Sequence, residues 1–547
     1  MPVITISLND LKSLVPHKLT DTQLQDLLPQ IKVEVDSFGP ELVLEVTPDR
    51  PDLFSAEGIA RQLILWLGLQ KGLPRYTIKS SGIRITTKHP TVRPFMISAI
   101  IRGLDLTGPA LESLLRLQAQ LDATLGRNRR TVSIGLHDFS KTKPPYIYQD
   151  VAPTAVSFVP LDSKKEMTPA AILMEYPKGK EYAHLVPRNC PLLTDKNGSV
   201  LSFPPIINGE LTRVKETTKD LLIDITGTDQ LAMEQSLNIL VTALAMRGGK
   251  IESVAVDKKS FPTLEPQRLT INKHTIMQQL GIDLKNSELK ELLQRMGYAV
   301  TAVQETFTVL APPYRADLWH PVDVTEDVAI AYGYNNLTPV HPNLFSVGHA
   351  HPLETFCQRL RELAVSMGFI EVNTFALTGN EPPLNSLSGK AIDLENPMSS
   401  ETSTVRTNLL GSLVQVFAVN KHNKYPQRIF ELGDVVQLNQ QAETKTDTKR
   451  YLAIGIAHQT AGFSEMLSVL NGLNTTLGNP WKIGTTTDPG FLPGRVGAIK
   501  LGGTVIGRFG ELHPAILADL GLEVPVVVCE LFVEPLVPQP RNQAGKS

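Results

Sequence analysis

The feature that most constrains the fold is the presence of two hydrophobic periodicities within one stretch of chain. Between residues 84 and 255, segments typical of strands (GIRITT, MISAIIRGL, TVSIGLH, AAILMEY, GSVLSF and LLIDIT) alternate with two long segments typical of helices, LESLLRLQAQLDATLG and DQLAMEQSLNILVTALAMRGG. Such a chain has to pack helices against a sheet. We therefore predict an α+β fold.

The length of the chain predicts several domains. At roughly 150 residues per domain, 547 residues correspond to three or four. Changes in pattern suggest an N-terminal α/β module (1–83), the strand-rich α/β domain (84–256), a helix–hairpin–helix module (265–342) and a C-terminal domain (348–540). The polar segment 257–267, with two prolines, is predicted to be a linker. The proline-rich tail PLVPQPRNQAGKS is predicted to be disordered.

Charge and cysteine content exclude some classes of protein. Lys plus Arg number 53 and Asp plus Glu 55, a net charge of −2, whereas a dedicated nucleic-acid binder is often strongly basic. Any RNA contact must then be local or come from a partner, and DNA binding is not expected. Cys190, Cys357 and Cys529 form no CxxC pair, which predicts free thiols in a reducing cytoplasm. No signal-peptide pattern and no run of 18 apolar residues occur, so we expect no membrane span.

Four acids near a helix predicted to start at Pro321 form a candidate metal site. Helical spacing places Asp323, Glu326 and Asp327 on one face, and Asp317 lies in the preceding loop. Clustered carboxylates repel each other unless a cation neutralises them, and Mg²⁺ favours such all-oxygen ligands. The alternative is that acids in a first helical turn are stabilised by the helix dipole and need no metal.

These motifs resemble a known family. PPYRADLWHPVDVTEDVAIAYGYNNL is similar to the magnesium-bearing module of the beta subunits of archaeal and eukaryotic phenylalanine–tRNA ligases. EVTPDRPDLFSAEGIARQL resembles their N-terminal motif, with Asp49 where asparagine is usual. TVRPFMISAIIRGL, TVSIGLHDF and LSFPPIINGE resemble the central domain. ENPMSSETSTVRTNLLGSLVQVFAVNKHN and FLPGRVGAIKLGGTVIGRFGELHPAIL resemble the C-terminal domain. The likeness covers nearly the whole chain, and it implies that the four acids bind Mg²⁺.

The resemblance implies a C-terminal, class II synthetase-like antiparallel sheet flanked by helices but without a functional ATP site. An extra residue separates Arg428 from Glu431 relative to the family's Arg–x–Glu motif, and strand alternation sends such a pair to opposite faces. His513 and Pro514 stand where a phosphate-binding arginine would be needed. Arg428 is then an ordinary surface or interface charge. ATP and phenylalanine are expected on a separate alpha subunit, in a tetramer of two alpha and two beta chains.

The resemblance also implies a proofreading activity, hydrolysis of tRNA charged wrongly with tyrosine, in the central domain. The candidates are polar residues that interrupt strand-like segments: His137, Asn208, Glu210, Asp224 and Thr226. Asp224 and Thr226 share one face of a strand, as do Asn208 and Glu210 if that segment is extended. The alternatives are a hairpin turn at Asn-Gly-Glu, a helix cap at Asp224 and a structural histidine at His137.

Arg127, Arg129 and Arg130 form the densest basic cluster and are candidates for phosphate contacts with tRNA, or else a solvated loop. Three functions stay open on sequence. The first is a cytoplasmic ligase subunit active only with alpha. The other two are a stand-alone editing hydrolase and a non-enzymatic RNA-binding scaffold.

Overall fold

The computed structural model describes residues 2–88, 90–380, 387, 391–478 and 480–538. The chain forms two compact units, Met1–His341 and Pro342–Ser547. Both contain sheets with packed helices, so the predicted mixed α+β, multidomain class is confirmed. Most of the proline-rich tail, residues 539–547, lies outside the described residues.

The described helices and strands of the first unit have the following bounds. The helices are α1 (Leu8–Leu14), α2 (Asp21–Leu27), α3 (Ala56–Trp66), α4 (Pro109–Ala123), α5 (Pro169–Glu175), α6 (Pro177–Tyr182), α7 (Gln230–Met246), α8 (Lys273–Leu280), α9 (Asn286–Arg295) and α10 (Pro321–Tyr332). The strands are β1 (Val3–Ser7), β2 (Val33–Ser37), β3 (Glu41–Val46), β4 (Ile78–Thr87), β5 (Phe95–Arg102), β6 (Val132–Asp138), β7 (Tyr146–Val151), β8 (Cys190–Thr194), β9 (Val200–Phe203), β10 (Ile207–Asn208), β11 (Leu221–Gly227), β12 (Lys250–Val256), β13 (Lys259–Phe261), β14 (Gln267–Asn272), β15 (Ala299–Val300) and β16 (Thr306–Ala311).

The N-terminal part pairs β1 and β2 with the central strand β3 in an antiparallel sheet. Its longest helix, α3, begins after Ser55, whose hydroxyl accepts the backbone N–H of Gly58. Gly58 also allows a close approach, because a Cβ there would lie 1.8 Å from the Asp52 carbonyl oxygen. The helix is therefore held directly against the preceding turn.

The central domain is built on a ten-stranded sheet in the order β10-β9-β8-β7-β4-β12-β5-β11-β6, with β13 paired to β12. The strand β12 runs parallel to β4 on one side and antiparallel to β5 on the other, so it joins two halves of the sheet. Helices α4 and α7 pack against this sheet as the apolar spacing predicted. This packing places α4 beside β6, at the end of the sheet where the candidate site lies.

Two local predictions in this region are wrong. The segment AAILMEY forms the helix α5, not a strand, because Thr168 caps its N-terminus and Pro169 occupies the first turn. The predicted linker at 257–267 forms β13 and buries Phe261 and Leu264 in the core. Its polar residues are exposed on a paired hairpin, which explains the misleading composition.

The last part of the first unit contains the small antiparallel sheet β14-β16-β15 with α8, α9 and α10 packed on it. The predicted hairpin is present as β15 and β16. As predicted, α10 starts at Pro321. This arrangement fixes the positions of the four acids discussed below.

The second unit contains α11 (Pro352–Ser366), α12 (Leu410–Val419), α13 (Phe463–Leu477) and α14 (Pro514–Asp519). Its described strands are β17 (Ile370–Glu371), β18 (Leu377–Thr378), β19 (Ile392–Asp393), β20 (Thr404–Val405), β21 (Gln427–Leu438), β22 (Thr446–Ala457), β23 (Lys482–Thr485), β24 (Phe491–Leu501), β25 (Thr504–Leu512) and β26 (Val526–Phe532).

Seven of these strands form a sheet in the order β17-β21-β22-β26-β25-β24-β23, antiparallel except for the short edge strand β17. Alternate residues of β21 face two separate cores. Phe430 packs with α11 and α13, whereas Ile429 packs with α12. The unit is thus a sheet covered by helices on both faces.

Candidate functional site

A cavity of 360 Å³ opens in the central domain beside β6 and β11. Its polar lining includes Asp122 of α4, Ser202 and Asn208 of the β9–β10 pair, and Asp224 of β11. Asn208 donates from Nδ2 to the carbonyl oxygen of Leu136 at 3.3 Å, and Ser202 donates to Asn208 Oδ1 at 3.2 Å. The cavity therefore presents fixed polar groups on a mostly apolar wall, as ligand sites commonly do.

Asp224 is an acid of this cavity whose position is fixed by a neighbouring histidine. His137 Nε2 lies 2.9 Å from Asp224 Oδ1, and His137 Nδ1 lies 2.7 Å from the hydroxyl of Thr212. Both side chains are buried. Because each ring nitrogen has a partner, the imidazole is held from both sides, and the Thr212 hydroxyl in turn lies 3.4 Å from the Gly209 carbonyl oxygen. Among the described residues, no hydrogen bond is made to Asp224 Oδ2.

Gly135 provides the room for that carboxylate. It lies opposite Asp224 in the β6–β11 register, and a Cβ at this position would lie 1.7 Å from Asp224 Oδ1. Any other residue here would displace the acid. The backbone of β6 is thus part of the site even though it contributes no side chain at this point.

Two predicted editing residues lie elsewhere. Glu210 begins a 3₁₀ turn, so it does not share a strand face with Asn208 as predicted for an extended segment. Its carboxylate accepts from Arg213 Nε at 2.8 Å, and this hydrogen bond lowers the pKa of Glu210. Thr226 is buried outside the cavity lining, where its hydroxyl accepts from Arg93 Nε at 3.1 Å. Both side chains therefore anchor arginines.

Asp122 is a cavity residue that the sequence analysis missed. Burial raises the pKa of its carboxyl to about 7, although Arg129 beside it acts in the opposite direction. Arg129 Nε lies 3.2 Å from Asp122 Oδ2, and the backbone N–H of Ile134 donates to Oδ1 at 3.0 Å. An acid on the buried face of α4, next to Leu121, is the pattern that could have identified it.

The basic cluster 127–130 divides into inward and outward side chains. Arg129 faces the protein interior and donates from Nη1 to the carbonyl oxygens of Pro205 and Ile206 at 3.1 and 3.0 Å. Arg127 and Arg130 are exposed. The hydrogen bonds of Arg129 and its ion pair with Asp122 are internal, and tRNA binding by the three arginines stays a prediction.

The four acids near α10 do not form one group that could hold a metal in this structure, and each has a partner. Asp317 and Asp327 both pair with the buried guanidinium of Arg315, at 2.6 and 2.8 Å. Asp323 accepts the backbone N–H groups of Trp319 and His320, as an acid at a helix N-terminus does. Glu326 pairs with Lys32 at 3.0 Å.

These positions do not fit a magnesium ion. Among the residues that the structure describes, no three His, Cys, Asp or Glu side chains are grouped so that they could hold a metal. Arg315 supplies the neutralising charge for two of the four carboxylates. Magnesium binding at this place stays a prediction from the resemblance.

Comparison with known proteins identifies the family. The chain is 41% identical over 554 residues to the phenylalanine–tRNA ligase beta subunit of Pyrococcus abyssi, covering 98% of this chain and 100% of that one. It is 38% identical to the corresponding subunit of Methanocaldococcus jannaschii, with the same coverage. The chain belongs to the phenylalanine–tRNA ligase beta subunit family.

Family models and a solved structure agree with this assignment. The tRNA synthetase B5 domain matches residues 269–334, and the phenylalanyl-tRNA synthetase beta chain CLM domain matches residues 339–533. A crystal structure of an N-terminal fragment of the Pyrococcus horikoshii beta subunit is 39% identical, with a TM-score of 0.59, and covers 61% of this chain and 100% of that one. No helix among the described residues is long and apolar enough to cross a membrane.

Within the region of the family's CLM domain, Arg428 and Glu431 lie on opposite faces of β21. Arg428 packs over the ring of Phe369 and lies 3.3 Å from Glu465. Glu431 pairs with Arg406 at 2.7 Å and accepts from the hydroxyl of Thr374. The alternation predicted from the sequence is therefore correct for these two residues.

Proposed function

We propose that this member of the family charges tRNA with phenylalanine only together with a separate alpha subunit, in a cytoplasmic complex of two alpha and two beta chains. The observation in favour is the separation of Arg428 from Glu431. An ATP site of class II type needs arginines that reach the phosphates from one face of the sheet. Here the two side chains contact different cores and are already paired.

The surface of the second unit supports a partner. Several large apolar side chains are exposed there, most fully Phe345 and Met398, at 91% and 101%. Apolar side chains that form one contiguous exposed patch commonly mark protein–protein contacts, and we expect these residues to lie in the contact with alpha. ATP and phenylalanine then bind mainly to the alpha chain, and this unit has a structural role.

The test is aminoacylation by alpha alone, by this chain alone and by the two together. We expect phenylalanine–tRNA only from the mixture, and co-purification of the two chains. Charging by this chain alone would refute the proposal. A failure to co-purify would favour the alternatives, a stand-alone hydrolase or an RNA-binding scaffold.

We further propose that the central cavity hydrolyses tRNA charged with tyrosine. An apolar pocket that accepts phenylalanine rejects a substrate with one added hydroxyl only weakly, so a second site must recognise that hydroxyl. Asp224 suits this task. His137 holds one carboxylate oxygen, and Gly135 leaves space around it, so Oδ2 is the acceptor for the tyrosine hydroxyl.

The other polar groups of the cavity are assigned to orientation of the substrate and to proton transfer. Asn208 and Ser202 bond to each other on the wall and offer neutral groups that can orient the ester and a water molecule. Asp122, whose pKa is raised to about 7 by burial, is half-ionised near neutral pH and is suited to accept a proton from that water. Hydrolysis then releases tyrosine and uncharged tRNA.

The test compares deacylation of Tyr-tRNA and Phe-tRNA by the assembled complex. Asp224→Ala should lose the preference for Tyr-tRNA, whereas Asp224→Asn, which keeps an acceptor oxygen, should retain part of it. Asp105→Asn serves as the matched control, because Asp105 is an exposed aspartate of the same domain. An unchanged preference in Asp224→Ala would remove this residue from the site.

A further inference from the structure

An open groove of 480 Å³ adjoins the loop that carries the basic cluster. Its titratable lining is entirely basic and consists of Arg93, Arg130, His184 and Arg188. The last three are exposed, and Arg93 is buried beneath them. Because the whole chain carries a net charge of −2, this concentration of positive charge is local rather than a consequence of composition.

Arg93 places under the groove a positive charge that no carboxylate of the described residues contacts directly. Its guanidinium donates only to neutral acceptors: the hydroxyl and carbonyl of Thr226 at 3.1 and 2.6 Å, and the carbonyl oxygens of Arg129 and Arg130 at 2.9 and 3.3 Å. Among the described residues, no carboxylate lies within ion-pair distance. Burial accordingly lowers the pKa of Arg93 to about 10. An anion in the groove would supply the missing negative charge.

The same loop links the groove to the cavity. Arg127, Asn128 and Arg129 have φ values of 47°, 55° and 65°, a left-handed conformation that residues other than glycine rarely adopt in succession. Arg93 holds the carbonyl groups at the end of this loop. As a result Arg129 lines the cavity, while its neighbour Arg130 lines the groove.

We propose that this groove binds the phosphates of the unpaired 3′ end of tRNA while the aminoacyl ester enters the cavity. The proposal rests on the proposed editing function. Arginine and histidine around an open groove match a flexible phosphodiester chain, which is recognised mainly through its charge. Because the adjacent residues Arg129 and Arg130 line the cavity and the groove respectively, the two sites lie close together, and this proximity selects the strand end that carries the ester.

The test uses the assembled complex and the double variant Arg130→Ala/Arg188→Ala. In single-turnover deacylation of Tyr-tRNA, the complex concentration needed for half-maximal rate should rise about tenfold or more. The slope of the logarithm of this concentration against the logarithm of the salt concentration should fall by about 1.4, the value for two phosphate contacts on a single strand. The rate at saturation should not change. Arg130→Lys/Arg188→Lys, which keeps both charges, should stay close to the wild type.

The control is Lys258→Ala/Lys259→Ala, which removes the same charge from an exposed hairpin of the same domain. Equal effects of the two alanine double variants would overturn the proposal. Binding of tRNA lacking its last three nucleotides gives a readout independent of hydrolysis. The groove variant should weaken binding of the intact tRNA only, and an equal loss for the truncated tRNA would also overturn the proposal. Absence of deacylation in the wild type would count against the editing function instead, and the binding comparison would still decide on the groove.

Discussion

Replacing Arg315 by methionine should destabilise the first unit strongly. The guanidinium is 2% exposed and pairs with Asp317 and Asp327, whose side chains are 9% and 3% exposed. The charge of Arg50 also lowers the pKa of Asp317, but among the described residues Asp327 has Arg315 alone as its ion-pair partner. Tyr298 also donates to Asp327 Oδ2, at 2.5 Å, but a neutral hydroxyl does not balance the charge. Removing one partner of a buried ion pair leaves an uncompensated ion and costs about 3–5 kcal/mol. We expect a loss of this size.

The measurement is urea unfolding of the full-length chain followed through Trp66, with Trp319 and Trp481 replaced by phenylalanine in every protein compared. Lys71→Met is the matched control. Its ion pair with Glu291 is exposed, and such pairs contribute about 0–1 kcal/mol.

A second variant separates charge from packing. Arg315→Met/Asp317→Asn/Asp327→Asn removes the cation and both anions together. It should recover part of the loss, because no carboxylate of this network is then left buried without its counter-charge. If Arg315→Met costs no more than Lys71→Met, the buried network does not have the energetic role assigned here. If the triple variant is no more stable than the single one, packing rather than charge is responsible.

Three further outcomes are expected. Gly135→Ala should abolish Tyr-tRNA deacylation and leave aminoacylation unchanged, because the added methyl would occupy the place of the Asp224 carboxylate; retained deacylation would refute the assigned geometry. Because the folded-state pKa of Asp122 is raised from 3.8 to about 7, its contribution to stability is fully present below pH 3.8 and is lost as the pH rises through 7. Asp122→Asn should therefore gain about 3 kcal/mol over the wild type between pH 5 and pH 8 in urea unfolding, and a pH-independent difference would contradict this. If magnesium binds at Asp317 and Asp327 in place of Arg315, magnesium chloride should raise the melting temperature of Arg315→Met more than that of the wild type, whereas equal shifts would mean that no such exchange occurs.

Much of the fold could be predicted because periodicity is a local property. The helices α4, α7 and α10 follow from apolar spacing and from Pro321 alone. The prediction of a strand at 170–176 was wrong because a short apolar run fits a strand and a helix equally well. The helix cap at Thr168 decides between them.

The sequence likewise predicted some residues of the candidate site but not all of their partners. His137 and Asp224 could be found because polar residues inside strands are unusual, and they do meet. The partners of the acids near α10 could not be found, because Lys32 comes from a distant segment and the position of Arg315 in the sequence does not show which way its side chain turns. Helical spacing determines the direction in which side chains leave the backbone, but not which cation pairs with them.

The position of β12 has a consequence for biosynthesis. The strands β4 and β5 are both made early, yet each has an unpaired side until residues 250–256 are inserted between them. At a translation rate of 5–20 residues per second, the chain between residues 87 and 250 takes about 10–30 s to synthesise. During that interval two open strand edges are available for wrong pairing. A ribosome-bound chain that ends before β12 should therefore be the species most in need of a chaperone.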